Sequence, residues 1–531
     1  MTLECSPYDP IPTGPYPPIF EFVTEKWKSL PENKLAIVDI STGTERTYQQ
    51  IYSTIGKLAA TLKEEMGVGP GTCVAMFCPN HVDYLAASLA VPMTGAMLTP
   101  INPLFTTKEL TDMLSLSQST CIIVHENVLD TALEAAQKCQ QTIEHIIVLQ
   151  NDNGQSVPEG TVSLDSIRKH DKEFLQTVDS VHGQTERSVS FLPYSSGTTG
   201  TPKGVALTHA NIVSNLHQVN RIEGPFYGEN TTLISPLPFF HIYAFVVSLL
   251  FLSWKGGTLI TNSARFDLPQ FCKAIEDYKV QRGHLVPPII LGLAKHPIVD
   301  NYDFSSLEGM ISAAAPLGSD TEKQAVDRLG CKIKQCYGMS ELSPLATGHM
   351  DSNIKSGSVG PVCASSEGKI VDQQGNSLGP HETGELLIRG PQVMKEYLEA
   401  PEKTKETRSD SGWLRTGDVA YYDEDGYVFI TDRLKELIKV RGFPVAPAEL
   451  EALLLTHEAV ADAAVIGVKD DESGEVPKAF VVLRQEVSAT AIQEWVKEQV
   501  VPYKRLEGGV NVVEQIPKSA SGKILRRMLK Q

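Results

Sequence analysis

Short, wholly apolar runs alternate with amphipathic stretches along most of the chain. "TCVAMFCPN" (72–80) reads as a buried strand and turn, and "HVDYLAASLAVPMTG" after it as a helix. "STCIIVHEN" and "EHIIVLQND" are further buried strands, with the helical pattern "VLDTALEAAQKCQ" between them. Strand–helix–strand alternation predicts parallel sheets with helices on their faces, an α/β fold. From about Gly357 the texture changes to short strands separated by Gly and Asp turns, as in "GKIVDQQGNSLGPHETGELLIRG", which predicts a β-rich subdomain. After "TDRLKELIKVRG" come a helix ("APAELEALLLTH"), strands ("VADAAVIGV", "PKAFVVLRQ"), another helix ("AIQEWVKEQV") and a polar tail. That is enough for a small α+β domain, with its boundary near 432–435.

Length and composition narrow the picture. At 531 residues the chain exceeds what one core holds, so at least two domains are expected. A net charge of −17 argues against a general nucleic-acid binder and against anionic membranes. The longest apolar run, "IYAFVVSLLFLSW" (242–254), is thirteen residues. A bilayer needs roughly 20, so the run reads as a buried helix. The N-terminus lacks a basic stretch followed by an apolar one, and no secretory signal is visible. Nine scattered cysteines without a CxxC pair read as free thiols in a reducing, cytoplasmic setting.

One stretch belongs to neither helix nor strand. "YSSGTTGTPKG" (194–204) packs three glycines and five Ser/Thr hydroxyls around Lys203. Backbone N–H groups and hydroxyls can converge there on an anion, and glycine permits close approach. It is not a Walker A loop, because Pro202 precedes Lys203 and Gly204 follows it. Composition alone leaves a phosphate grip and a surface turn both open.

The segment resembles the signature of the adenylate-forming superfamily, which includes acyl-CoA synthetases, luciferases and adenylation domains. "PYSSGTTGTPKGVALTH" is especially similar to plant 4-coumarate–CoA ligases. The resemblance continues, in family order, through "LPFFHIYAF" (237–245), "ISAAAPLG" (311–318), "QCYGMSELSP" (335–344), "GWLRTGDVAYYDEDGYVFITDRLKELIKVRG" (412–442) and "PKSASGKILRR" (517–527). It implies a large N-terminal adenylation domain (1–431), a hinge (432–435) and a small mobile C-terminal domain (436–531).

Residue by residue, the resemblance gives Ser195, Ser196, Gly197, Thr198, Thr199, Gly200 and Lys203 to the ATP phosphates. Tyr337 would stack on adenine beside Gly338, Ser340 would contact the α-phosphate, and Glu341 would hold Mg²⁺. Ala314 and Ala315 would face adenine, with Ala314, Gly338 and Tyr243 also lining the acid pocket. The 287–291 stretch, read as a turn, would add to the pocket wall. Asp418 and Arg433 would reach the ribose, and His241 would stand beside the reacting carboxylate. Lys523, in a tail with five basic residues and no acidic one (518–530), would steady charge on the carboxylate and α-phosphate. In such proteins the C-terminal domain then turns about a hinge matching Lys435, withdrawing Lys523 and bringing in the face with Lys439 and Gly442. A departure follows the hinge: where relatives read Lys-Gly-Phe/Tyr-Gln, this chain reads Arg441-Gly442-Phe443-Pro444.

The function so implied is an ATP-dependent acid–thiol ligase that forms an acyl-adenylate and transfers the acyl group to CoA. The expected acid is 4-coumarate or a related aromatic or medium-chain acid, and no nucleic-acid partner or stable membrane insertion is expected. Two alternatives stand beside it. One is an adenylating enzyme that passes its product to a carrier protein or to oxygen; the other is an inactive nucleotide-binding protein.

Overall fold

The computed structural model describes residues 3, 5–151, 156–195, 202–441, 443–470, 472–519 and 522–530 of the chain. Every position of the strand Cys73–Phe77 is buried, as a strand covered on both faces requires. It lies inside a nine-stranded sheet, pairing in parallel with Met97–Ile101 on one side and Cys121–His125 on the other. The helices Tyr84–Met93 and Leu129–Lys138 fall where the sequence predicts them, the first buried at every position and the second on one face. Toward one edge the sheet turns antiparallel, through Val189–Phe191, Lys203–Thr208 and Glu396–Tyr397.

A second, seven-stranded sheet runs in the order Lys332–Gln335, Gly309–Ser312, Arg282–Leu285, Thr232–Ile234, Thr258–Thr261, Leu35–Asp39, Glu45–Thr47. Its first six strands are parallel. The β-rich subdomain is a four-stranded antiparallel sheet, Glu367–Val371, Gly384–Arg389, Leu414–Tyr422 and Val428–Arg433. Beyond it, Ile438, Val445, Leu450, Val465, Val481 and Ile492 build a hydrophobic cluster of their own over a five-stranded sheet. Among the described residues, two hydrogen bonds tie this last unit back. Asp432 Oδ2 accepts from Ala448 N–H (3.0 Å), and Lys295 Nζ donates to the Leu455 carbonyl (3.0 Å).

Three local features depart from expectation. The glycine-rich stretch is strand at both ends, because Tyr194–Ser195 pairs antiparallel with the start of Lys203–Thr208. The 287–291 stretch is not a turn but the start of the helix Pro287–Lys295, whose prolines occupy the first turn, where no N–H is missed. The apolar run 242–254 is a buried helix as expected, but Tyr243–Leu250 winds as a π-helix before Phe251–Lys255 tightens to α. Such widened turns re-aim side chains.

Among the described residues no helix is long and apolar enough to cross a membrane. All nine cysteines are free.

Candidate active site

Four neighbouring strands of the seven-stranded sheet end side by side, and each hands the chain to a site residue. In open α/β sheets ligands sit outside these carboxyl ends. Lys332–Gln335 leads to Tyr337 and Gly338, Gly309–Ser312 to Ala314 and Ala315, Arg282–Leu285 to Val286, and Thr232–Ile234 to His241 and Tyr243. Ala314 turns with φ of 73°, the left-handed region, and lies exposed toward the cleft. Gly338 must be glycine: a Cβ there would stand 2.2 Å from the Pro344 carbonyl oxygen.

Leu237, His241, Tyr243, Ala244, Val286 and Ala314 surround a small, mainly apolar pocket. The Tyr243 hydroxyl donates to the Ile311 carbonyl (3.4 Å), and its ring stacks on His284. Glu223, Val247, Ile311, Lys334 and Cys336 line a second cavity close to this wall. The loop carrying Lys523 lies over the first pocket, since a side chain at Gly522 would meet Val286 Cγ2 at 3.3 Å.

The electrostatics follow from that placement. Burial, then the nearby Lys523 ammonium, pushes His241 down to about 4, so its imidazole is neutral at pH 7. Burial and the Arg433 guanidinium push Lys523 down to about 8, with Glu436 and Asp418 pulling the other way. Lys523 therefore titrates near working pH. Adenylation kcat/KM should fall tenfold per pH unit above about 8, as the free enzyme loses this proton. In Lys523→Arg the fall should disappear below about pH 10. A wild-type profile flat through that window would remove the ammonium from the reaction.

Asp418 stands opposite Arg433 on paired strands. Its Oδ2 accepts from the Tyr337 hydroxyl (2.5 Å), and Arg433 Nε lies 3.5 Å from Oδ1. Burial raises its carboxyl although Arg433 pulls it down. Glu341 is buried in the short helix Ser340–Leu342, its Oε1 accepting from the Tyr397 hydroxyl (2.7 Å). The Lys203 ammonium sits 5.0 Å above the same tyrosine ring.

No cluster of three His, Cys, Asp or Glu ligands gathers among the described residues. A single buried carboxylate suits Mg²⁺, which takes one or two carboxylates and completes its shell with water and substrate phosphates. Of the two carboxylate oxygens of Glu341, the described residues donate a hydrogen bond to Oε1 alone, so the donor set fits that ion.

The structure thus groups His241, Tyr243, Ala314, Gly338, Tyr337, Asp418, Arg433 and Lys523 around one cleft. Lys435 and Lys439 are exposed, and the Lys439 N–H donates to Glu475 inside the C-terminal sheet. Ser196, Gly197, Thr198, Thr199, Gly200 and Gly442 lie outside the described residues. Pro444 sits on the edge strand Phe443–Val445, where a missing N–H is tolerated. Tyr397 was not singled out from the sequence. Its contact with Glu341 depends on a strand pairing with Val205 that no local pattern announces.

Comparison with known proteins agrees with this architecture. The family described as AMP-binding enzyme matches residues 23–398, and its C-terminal domain matches 449–523. The chain belongs to the AMP-binding, adenylate-forming enzyme family. Its activity is that of an AMP-forming acyl-CoA synthetase: ATP activates a carboxylic acid as an acyl-adenylate, which is passed to CoA. Among its relatives, a 4-coumarate–CoA ligase of Nicotiana tabacum is 41% identical over 502 residues, spanning 91% of this chain and 89% of that protein. One from Petroselinum crispum is 39% identical over 509 residues, spanning 94% and 91%. Among solved structures, an anthranilate CoA ligase in complex with anthranoyl-AMP superposes with TM-score 0.87 at 25% identity, covering 97% of each chain. ATP-bound MatB from Rhodopseudomonas palustris superposes with TM-score 0.84 at 26% identity, covering 96% of this chain and 98% of that one.

Proposed function

We propose that the acid is aromatic, a 4-coumarate-like substrate whose ring enters the pocket of Leu237, Tyr243, Ala244, Val286 and Ala314. The observation that carries this reading is the meeting of an apolar pocket, the neutral His241 and the Lys523 ammonium at one cleft. The ring is dehydrated in the pocket while its carboxylate stays among polar groups. A carboxylate oxygen attacks the α-phosphorus of ATP, the P–O bond to pyrophosphate breaks, and the acyl-adenylate forms. Lys523 steadies the negative charge gathering on the carboxylate and α-phosphate oxygens. Asp418 accepts from the ribose hydroxyls with Arg433 beside it, and 195–200 with Lys203 holds the leaving phosphates. Bound at Glu341, Mg²⁺ supplies neutralising charge to those phosphates.

The second half-reaction follows a turn of residues 436–531 about the 432–435 hinge, with Lys435 as pivot. The Asp432–Ala448 and Lys295–Leu455 hydrogen bonds then break, and Lys439 and Gly442 replace Lys523 at the cleft. The CoA sulfur attacks the acyl carbonyl, its proton leaves to solvent, and AMP departs. Pro444 stands where the family pattern reads glutamine, so whatever side-chain hydrogen bond that glutamine makes in the thioester step is lost here. Nine free thiols suit a cytosolic enzyme.

The test is a mass-spectrometric assay with MgATP, CoA and a pool of cinnamates, benzoates and fatty acids of increasing length. Cinnamoyl- or benzoyl-type thioesters are expected to dominate. Thioesters of alkyl acids alone would overturn the aromatic assignment. Acyl-adenylate accumulating without thioester would favour an acceptor other than CoA and implicate Pro444.

A further inference from the structure

Between Met394 and Leu398 the chain grips both sides of the phosphate region. The Met394 N–H donates to the Glu341 carbonyl (2.8 Å), and the Tyr397 hydroxyl to Glu341 Oε1 (2.7 Å). Lys395 and Leu398 N–H groups donate to the carbonyls of Ala206 (3.0 Å) and Gly204 (2.8 Å), on the strand that begins at Lys203. Tyr397 lies directly across from Val205, which puts Lys203 on its diagonal, on the same face of the sheet. Its ring is reached there by the Lys203 ammonium, 5.0 Å from the centroid. Tyr397 is 5% exposed, and its own N–H is held by Thr404 Oγ1 (3.0 Å).

We propose that Tyr397 is a positioning residue for the metal–nucleotide complex. Its hydroxyl fixes Glu341 through Oε1 so that the other carboxylate oxygen is presented to Mg²⁺, and its ring face holds the Lys203 ammonium at the phosphate loop. The inference rests on the reading of Glu341 as the metal carboxylate. The chemistry of the clamp argues for it. A lysine or arginine in its place would hold Glu341 just as firmly but would cancel the charge that attracts the cation. A phenol O–H donates to the carboxylate and brings no charge of its own. The ring likewise attracts an ammonium through its quadrupole without neutralising it. One neutral side chain therefore orients an anion and a cation, and both keep their full charge for the ligand.

Manganese is the probe. Its binding to enzyme plus ATP, without acid, is followed by electron paramagnetic resonance, beside AMP binding in the absence of metal. Tyr397→Phe keeps the ring and loses the hydroxyl, so Mn²⁺·ATP affinity should fall about tenfold, the scale of a hydrogen bond to a charged group. AMP affinity should stay at the wild-type value. Tyr397→Leu removes the ring as well and should also weaken metal-free pyrophosphate. In a Glu341→Gln background, Tyr397→Phe should cost nothing further. Unchanged Mn²⁺·ATP affinity in Tyr397→Phe, or an equal loss of AMP affinity, would overturn the tyrosine's role. Wild-type enzyme that binds ATP but gains nothing from Mn²⁺ would instead sink the reading of Glu341.

Discussion

Lys523→Ala is expected to slow acyl-adenylate formation by about 10²–10³-fold, the usual loss when one preorganised donor is removed from developing charge. The geometry makes the lysine effective. It lies over a pocket with a neutral imidazole below it, and burial and Arg433 already push its ammonium down to about 8. A strained cation of this kind gains most when anionic oxygens arrive, and gains more as charge builds on them. Pyrophosphate exchange driven by the acid should show the loss in kcat rather than in the KM for ATP, since the proposed nucleotide contacts of Asp418, Tyr337 and Glu341 do not involve this lysine. Supplied with presynthesised acyl-adenylate and CoA, the same variant should make thioester at close to the wild-type rate. Exchange within threefold of wild type would end the assignment. Loss of both half-reactions together would instead tell against the alternation of the two domains.

The second large effect is on stability. Lys334 is 3% exposed and pairs with Glu223 Oε1 (2.5 Å) and Asp351 Oδ1 (2.6 Å), while Arg282 holds Asp351 Oδ2 (2.7 Å). Two cations thus balance two buried carboxylates beside the second cavity. Burial raises the Glu223 carboxyl despite Lys334; for Asp351 burial pushes the same way, but Lys334 and Arg282 outweigh it. Lys334→Met removes the cation they share and should cost about 3–5 kcal/mol, the penalty of leaving a buried charge unpaired. A urea titration followed by tryptophan fluorescence reads it.

The sign with pH is definite. In the variant Glu223 keeps a raised folded pKa without its partner, so the native state holds a proton that the unfolded state has released. Stability then falls as pH rises above the ordinary carboxylate range. The deficit should be larger at pH 8 than at pH 5.5. A loss independent of pH would mean that packing alone, and not charge, makes Lys334 necessary.

How much of this was legible beforehand differs by scale. The alternation of buried runs with amphipathic helices announced the parallel sheets, because strands buried on both faces leave a continuous apolar signature, as in Cys73–Phe77. The motifs announced the cleft, because Tyr337 and Ala314 each come within two residues of a strand's end, His241 lies on the loop after Thr232–Ile234, and these neighbouring strands end together. What could not be read were pairings between distant segments. The antiparallel match of Val205 with Tyr397 brings a lone tyrosine onto Glu341, and nothing in "KEYLEAP" marks it. The balanced cluster of Glu223, Lys334, Asp351 and Arg282 is invisible for the same reason, each charge looking locally like a solvated one. At 287–291 two prolines suggested a turn, where they in fact open a helix by occupying positions that need no N–H donor.

The backbone turns at Ala314 and Gly338 bear on how this cleft can diversify. At Gly338 any side chain would collide with a main-chain carbonyl, which cannot swing aside as a side chain would. At Ala314 the left-handed φ of 73° penalises all but glycine and the smallest or Asx-type residues. Two positions proposed to face the acid therefore admit few side chains. Changes of acid preference are expected at Leu237, Tyr243 and Val286, whose side chains line the pocket without such backbone constraints. A saturation library confined to those three positions should recover most of the acid repertoire this scaffold can reach, while one at 314 and 338 should return mainly inactive clones.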